Sequence, residues 1–441
     1  MSGAPASPRV LKETEEVEHV SATTVAEGSA AAFGVAGLSC RECGQTYPVS
    51  PLHACDRCFG PLQVLYDYER LAGEVRRADV EAGPASIWRY APLLPAPERG
   101  RVDIGAGWTP LRPAPRLAAE LGLKKLWLKN DAANPTSSFK DRVVSVALSA
   151  GRYFGCDTVA CASTGNLANA VAAHAAATGL RSVVLIPKGL EAGKVAGTAV
   201  YGGLLLEVEG SYDDCNRLCA ELAGATSWAF VNVSLRPFYA EGSKTVGFEI
   251  AEQLGWRAPD AVVSPVASGS LLSKVARSFE ELGLIGLIEP RRPRMFGAQA
   301  AGCAPVAAAF ERGDTDVRPV KPATIAKSLG IGDPADGPYA LAAARGSGGR
   351  IDAVPEESVA EGMRLLARTE GIFTETAGGV TIAALERLVA RGDIAPGDET
   401  VALLTGLGYK TVEALGPPPE VAPIDPTIAS VQDVLRRKGW L

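Results

Sequence analysis

The segment Asn134-Pro135-Thr136-Ser137-Ser138-Phe139-Lys140-Asp141-Arg142 puts one lysine at the first turn of an expected helix. Ser138 and Asp141, three residues apart, have the types of a capping pair, and the apolar run Val143-Val144-Ser145-Val146-Ala147-Leu148 follows them. A helix start carries partial positive charge, which disfavours an ammonium there and eases its deprotonation. An amine so placed suits Schiff-base chemistry with a carbonyl. A solvated lysine on a helix end is the alternative that this segment leaves open.

Three more segments close expected strands, where open α/β sheets bind ligands. Ser163-Thr164-Gly165-Asn166 ends one strand and opens a helix, so its backbone N–H groups can hold a carboxylate and the Asn amide can donate to a phenolate oxygen. A plain helix cap is the other reading. Ala267-Ser268-Gly269-Ser270-Leu271 lies between a strand and a helix, where Gly and Ser can cradle a phosphate, or simply make a tight loop. Thr405, in Leu404-Thr405-Gly406-Leu407-Gly408, offers a hydroxyl that can donate to a pyridine nitrogen without protonating it, or cap a turn. Together the four segments supply a lysine, an oxygen-binding amide, a phosphate nest and a ring-nitrogen donor. Pyridoxal 5'-phosphate requires that set.

Cys40-Arg41-Glu42-Cys43 and Cys55-Asp56-Arg57-Cys58 are two C-x-x-C knuckles, each followed closely by a glycine, Gly44 or Gly60. Four thiolates from two such turns can close a tetrahedral zinc site of structural type. A ribbon without metal, or a redox pair, would share the pattern. Cys156, Cys161, Cys215, Cys219 and Cys303 stand in apolar or helical settings and read as core residues.

The elements that must position these groups are short apolar strands alternating with helices. Strands are expected at 125–129, 158–162, 182–186, 203–208, 229–233, 260–264, 294–297 and 399–404, which indicates βαβ units and largely parallel sheets. The 441 residues exceed one small core. The expected organisation is a disordered tail over 1–34, a ribbon over 35–68, a large domain of 69–150 with 255–441, and a small domain of 151–254. Asp and Glu outnumber Lys and Arg, 50 to 44, which argues against a nucleic-acid binder and leaves anionic ligands to local groups. No stretch has the length of a membrane span, no signal-peptide layout opens the chain, and the nine cysteines fit a reducing compartment, so a cytoplasmic location is expected.

The sequence resembles the threonine synthases among the fold-type-II (tryptophan-synthase-β-like) pyridoxal phosphate enzymes, in the form with an N-terminal zinc ribbon. The resemblance runs from about Leu38 to the chain end. It takes in the cysteine knuckles to Gly60-Pro61-Leu62, Ile87-Trp88-Arg89-Tyr90, Gly107-Trp108-Thr109-Pro110-Leu111 and the lysine segment. It continues through 163–169, Glu241-Gly242-Ser243-Lys244-Thr245, Thr324-Ile325-Ala326-Lys327 and Phe373-Thr374-Glu375-Thr376-Ala377-Gly378-Gly379.

The resemblance implies an α/β fold of two domains, each with a twisted, mostly parallel sheet flanked by helices, plus the ribbon. It implies Lys140 as the cofactor-bearing lysine and acid/base, Phe139 beside the ring, Asn166 at the phenolic oxygen, Ala267 to Leu271 around the phosphate and Thr405 at the pyridine nitrogen. Ser163, Thr164 and Gly165 would grip the substrate α-carboxylate. The implied reaction turns O-phospho-L-homoserine and water into L-threonine and phosphate, and a homodimer is implied. Candidates for the leaving phosphate are Lys129, Ser137, Ser138, Arg142 and Lys244, with Arg142 and Lys129 foremost. Two features depart from the family pattern: the phosphate loop has one Gly and two Ser, and Leu407 stands where many relatives have His or Asp. Cysteate synthase, acting on O-phosphoserine with sulfite, and β-eliminases such as threonine dehydratase share the scaffold and are the competing readings. A non-catalytic binding protein is the competitor from another class.

Overall fold

A computed structural model describes residues 34–163, 165–190, 192–210, 212–417 and 421–441. The tail expected over 1–34 lies outside them except for Gly34. Three sheets organise the chain. Strands β1 (Val35–Cys40), β2 (Thr46–Tyr47) and β3 (Leu62–Tyr66) form an antiparallel sheet in the order β2-β1-β3, with the cysteine knuckles at its turns.

The remaining strands are β4 (Leu111–Pro113), β5 (Lys125–Asn130), β6 (Thr158–Ala162), β7 (Arg181–Pro187), β8 (Leu204–Val208), β9 (Ala229–Phe230), β10 (Ala261–Pro265), β11 (Arg294–Ala300), β12 (Ile351–Val354) and β13 (Glu399–Leu404). Six make one sheet, ordered β12-β11-β10-β13-β5-β4, parallel throughout except for β4 at its edge. Four make a second, fully parallel sheet, ordered β8-β7-β6-β9. β6, β10 and β13 are buried along their whole length, as strands covered by helices on both faces must be, and their sequences are accordingly near-continuous apolar runs. β8, at an edge, is largely exposed instead. The fold is thus α/β, with one fully parallel and one mostly parallel sheet, both flanked by helices.

Within these two sheets, β4 and β12 lie outside the expected strand spans. β4 is three residues long and carries Pro113, which an edge tolerates because no outer neighbour needs its N–H. β12 contains Asp352, whose buried carboxylate is neutralised by Arg387 and Arg391 from a distant helix. The helix Lys244–Gln253 packs on the helix Ser270–Leu284 that follows β10, whereas the helix Lys140–Tyr153 packs on Asn166–Thr178 beside the four-stranded sheet. Among the described residues no helix is long and apolar enough to cross a membrane.

Candidate active site

Each chemical motif follows the carboxyl end of a parallel strand: Lys140 after β5, Asn166 after β6, Gly269 after β10 and Thr405 after β13. The four loops therefore converge, and they line one cleft of about 1490 Å³. Ser137, Phe139, Lys140, Ser163, Gly165, Asn166, Ala267, Ser268, Gly269, Ser270, Leu271 and Thr405 all face it. Thr164 lies outside the described residues.

Lys140 is the first residue of its helix, and its Nζ donates to the Tyr239 hydroxyl at 3.1 Å. The same Nζ lies 5.0 Å from the centre of the Phe139 ring. The preceding loop is clamped to the end of β13, because the Phe139 N–H donates to the Thr405 carbonyl and the Leu407 N–H to the Ser137 carbonyl. The expected Ser138–Asp141 capping pair does not form. The helix start carries no side-chain cap bond, and the Ser138 hydroxyl does not reach the first-turn N–H groups. Asp141 turns back on Thr136 instead, accepting from its N–H at 2.8 Å and its hydroxyl at 2.9 Å, and meets His174 Nε2 at 3.1 Å. Among the described residues the buried Ser138 hydroxyl has no hydrogen-bond partner, and it does not line the cleft.

A buried carboxylate organises the cleft floor. Glu375 accepts from Asn166 Nδ2 at 2.8 Å through one oxygen and from the Thr405 hydroxyl at 3.0 Å through the other. Lys410 Nζ donates to Asn166 Oδ1 at 2.8 Å and to the Thr136 carbonyl at 2.6 Å. Burial pulls the Lys410 ammonium below its usual pKa, with Glu375 opposing that pull. Gly406 follows Thr405 because a Cβ there would stand 2.6 Å from the Glu375 carboxylate. The sequence reading assigned no role to Glu375, Lys410 or Tyr239. An acid just before the helix Thr376–Ala390, whose first ten residues carry no charge, was the available signal for Glu375.

Ser163 uses its hydroxyl as a cap, accepting from the Gly165 and Ala168 N–H groups. At the β10 loop Gly269 has φ +98°, and a Cβ on it would stand 2.4 Å from the Asp336 carbonyl oxygen. The loop opens a helix whose first N–H groups have no partner within the helix, which makes an anion cradle. A cradle only glycine can close, facing a lysine amine across one cleft, suits an aldehyde that carries a phosphate.

Four of the five phosphate candidates lie outside the cleft lining, three of them cations in the core. Arg142 is fully buried, with Nε and Nη2 on Asp131 at 2.8 Å and Nη1 on Glu249 at 2.5 Å. Lys129 donates to the same Glu249 at 2.5 Å and to the Thr109 carbonyl at 2.7 Å. Burial pushes the Glu249 carboxyl up, but Arg142 and Lys129 outweigh it and hold the pKa at about 2. Lys244 is likewise buried, paired with Glu241 at 2.6 Å and Glu281 at 2.8 Å beneath Tyr66 of β3. All three cations are consumed by core carboxylates, and none lines the cleft. Ser138 is excluded with them, which leaves Ser137, held at φ 58° in a tight turn. The cleft has cations that the sequence reading did not single out, among them Lys188, Arg236 and Lys410.

In the ribbon the Sγ atoms of Cys40, Cys43, Cys55 and Cys58 all lie within 4.8 Å of one another. Cys40 and Cys58 approach to 3.5 Å, Cys43 and Cys55 to 3.7 Å, spacings that a tetrahedral ion with Zn–S bonds of about 2.3 Å accommodates. Of the other cysteines, Cys156 is half-buried and the rest are buried.

Residues 102–406 match the family model described as "Pyridoxal-phosphate dependent enzyme". A threonine synthase of Methanocaldococcus jannaschii is 39% identical over 378 residues, 85% of this chain and 93% of that one. One of Methanosarcina acetivorans is 38% identical, over 84% and 91% of the two chains. Among solved structures, threonine deaminase isoform 2 of Solanum lycopersicum superposes with a TM-score of 0.61 at 20% identity, covering 79% of this chain and 89% of that one, a likeness of fold. The chain belongs to the pyridoxal-phosphate dependent enzymes and, within them, to the threonine synthases.

Proposed function

We propose that the enzyme converts O-phospho-L-homoserine and water to L-threonine and inorganic phosphate. The observation that carries this reading is the meeting of Lys140, Asn166, Thr405 and the Gly269 loop in one cleft of a threonine synthase relative. Lys140, Phe139, Asn166, Thr405 and residues 267–271 would hold pyridoxal phosphate, which when bound supplies an electron sink for carbanions next to the amino group.

The remaining chemistry falls to the chain's own groups. Lys140 Nζ takes and returns protons, with the Tyr239 hydroxyl at 3.1 Å as its near neighbour. Glu375 holds Asn166 and Thr405 in place: Asn166 keeps a second N–H for the cofactor, whereas the one proton of the Thr405 hydroxyl lies on Glu375 and would have to turn to the ring nitrogen. Gly165 and the start of the helix Asn166–Thr178 suit the substrate carboxylate. For the ester phosphate, Arg236 replaces Arg142, Lys129 and Lys244, because it faces the cleft with a side chain 31% exposed. Leu407 engages Ser137 through its backbone and does not line the cleft, so its departure from the family pattern bears little on substrate choice.

The reading further holds the small unit to 151–254, facing the large unit of 69–150 and 255–441, with zinc on Cys40, Cys43, Cys55 and Cys58. A cytoplasmic homodimer completes it. The test is phosphate and threonine measured in one sample from O-phospho-L-homoserine. Equal amounts of both, abolished by Lys140→Ala, are expected. Phosphate without threonine, or no turnover, would refute the substrate and turn the search to O-phosphoserine with sulfite.

A further inference from the structure

A carboxylate beside a phosphate loop repels the ligand unless cations neutralise it. Asp336 is such a group. Its N–H donates to the Ser268 carbonyl at 2.9 Å, and its own carbonyl oxygen packs against Gly269. Asp336 and Arg236 both line the cleft. One carboxylate oxygen of Asp336 accepts from Arg236 Nη2 at 3.1 Å. The other accepts from Arg41 Nη1, also at 3.1 Å.

Arg41 comes from a distant part of the sequence. It stands between Cys40 and Cys43 in the first knuckle, 295 residues from Asp336. Its guanidinium lies 3.1 Å from the centre of the Tyr339 ring, and the Tyr339 hydroxyl donates to Glu42 of the same knuckle. The knuckle therefore grips the segment behind the phosphate loop at two adjacent residues. Of the three charged side chains Arg236 is the most exposed, at 31% against 17% for Arg41 and 10% for Asp336. Two guanidinium groups and one carboxylate leave a net positive charge with Arg236 as its open face. Without Arg41 the pair is neutral, and Arg236 can close on both oxygens of Asp336 in the fork geometry that guanidinium favours.

We propose that Arg41 is a positioning residue: the ribbon presents it to Asp336 so that Arg236 keeps free donors for the phosphate ester. The proposal rests on the reading of this cleft as the O-phospho-L-homoserine site. It gives the cysteine ribbon a part in substrate recognition beyond stapling the N-terminal segment.

Two measurements on the holoenzyme test it: steady-state kinetics giving kcat and KM for O-phospho-L-homoserine, and calorimetry giving the Kd of inorganic phosphate. Arg41→Ala should raise KM and Kd about tenfold, the effect of one unit charge lost near a partly solvated site, while kcat stays within about twofold. Arg41→Lys should recover most of the loss, which a packing role would not predict. Arg57→Ala, at an exposed arginine of the second knuckle, should leave both quantities unchanged. In an Asp336→Asn background Arg41→Ala should add nothing more. Arg41→Gln keeps the stem and serves if the alanine variant loses its fold by circular dichroism. Unchanged KM and Kd in a folded Arg41 variant would overturn the proposal, as would an Arg57→Ala effect of equal size. If O-phospho-L-homoserine is not turned over, the functional reading fails, while the phosphate Kd still decides the role of Arg41.

Discussion

Glu249 is the acid that the buried Arg142 and Lys129 share, so Glu249→Gln is a sharp probe of what those two cations do. The carboxylate accepts from Arg142 and Lys129 and from the Trp108 and Thr109 N–H groups, in a site with no exposure at Glu249 or Arg142. Its pKa of about 2, against 4.5 for the ordinary group, corresponds to about 3 kcal/mol at roughly 1.4 kcal/mol per pKa unit. That agrees with the roughly 3–5 kcal/mol lost when one partner of a buried ion pair is removed. Spread over the unfolding entropy of about 2 cal/mol/K per residue for a chain of this length, the loss lowers Tm by about 3 °C, and by more if a smaller unit melts first.

The assay is differential scanning calorimetry of the variant beside steady-state kinetics. The expected result is a lower Tm with KM for O-phospho-L-homoserine unchanged, since the network lies outside the cleft. A pH series adds an independent check. The folded pKa lies below the unfolded one, so Glu249 contributes fully above about pH 4.5 and loses that contribution as pH falls toward 2. Glu241, pushed up by burial but held at about 2 by Lys244 and Lys274, behaves the same way, so Glu249→Gln should remove only part of the acid limb. A tenfold rise in KM with Tm unmoved would refute the reasoning and return Arg142 and Lys129 to the phosphate site.

Gly269→Ala places a Cβ 2.4 Å from the Asp336 carbonyl at φ +98°, so cofactor affinity by fluorescence titration should fall at least about tenfold; wild-type affinity would remove the loop from the phosphate site. Glu375→Gln keeps the shape but weakens the hold on Asn166 and Thr405, which should displace the cofactor absorbance maximum and lower kcat about tenfold or more. An unaltered spectrum would count against Glu375 as the organiser of the floor. Thr405→Asp would bring a second carboxylate to a Glu375 oxygen now 3.0 Å from the hydroxyl, so one of the two acids should titrate near neutral pH and make the spectrum pH-dependent, and a flat profile would contradict this. Dialysis against a strong chelator should release one zinc per chain by atomic absorption and lower Tm, whereas a protein purified without zinc and indifferent to the chelator would leave the ribbon metal-free.

The positions of the four site loops were legible in the sequence because each is a local event, a short apolar strand turning into a helix through Ser, Thr, Asn or Gly. Which neighbouring charges enter the cleft was not, because their partners are remote: Arg142 meets Glu249 107 residues on, and Asp336 meets Arg41 295 residues back. One part of that answer was nevertheless available. In a helix each residue turns about 100°, so Arg142, two beyond Lys140, points about 200° away from it. If Lys140 faces the cleft, Arg142 must face the core, and a core arginine must find acids. The same logic sorts the turn before the helix, where Ser137 lines the cleft and the adjacent Ser138 does not. Proximity in sequence to a reactive lysine is therefore a poor guide to its helpers. Cleft-facing groups come from other parts of the chain: Arg236 and Tyr239 from the helix after β9, Lys410 from the turn after β13, and Glu375 from the junction of two helices. The helpers of a catalytic residue must therefore be sought around the whole carboxyl edge of the sheets.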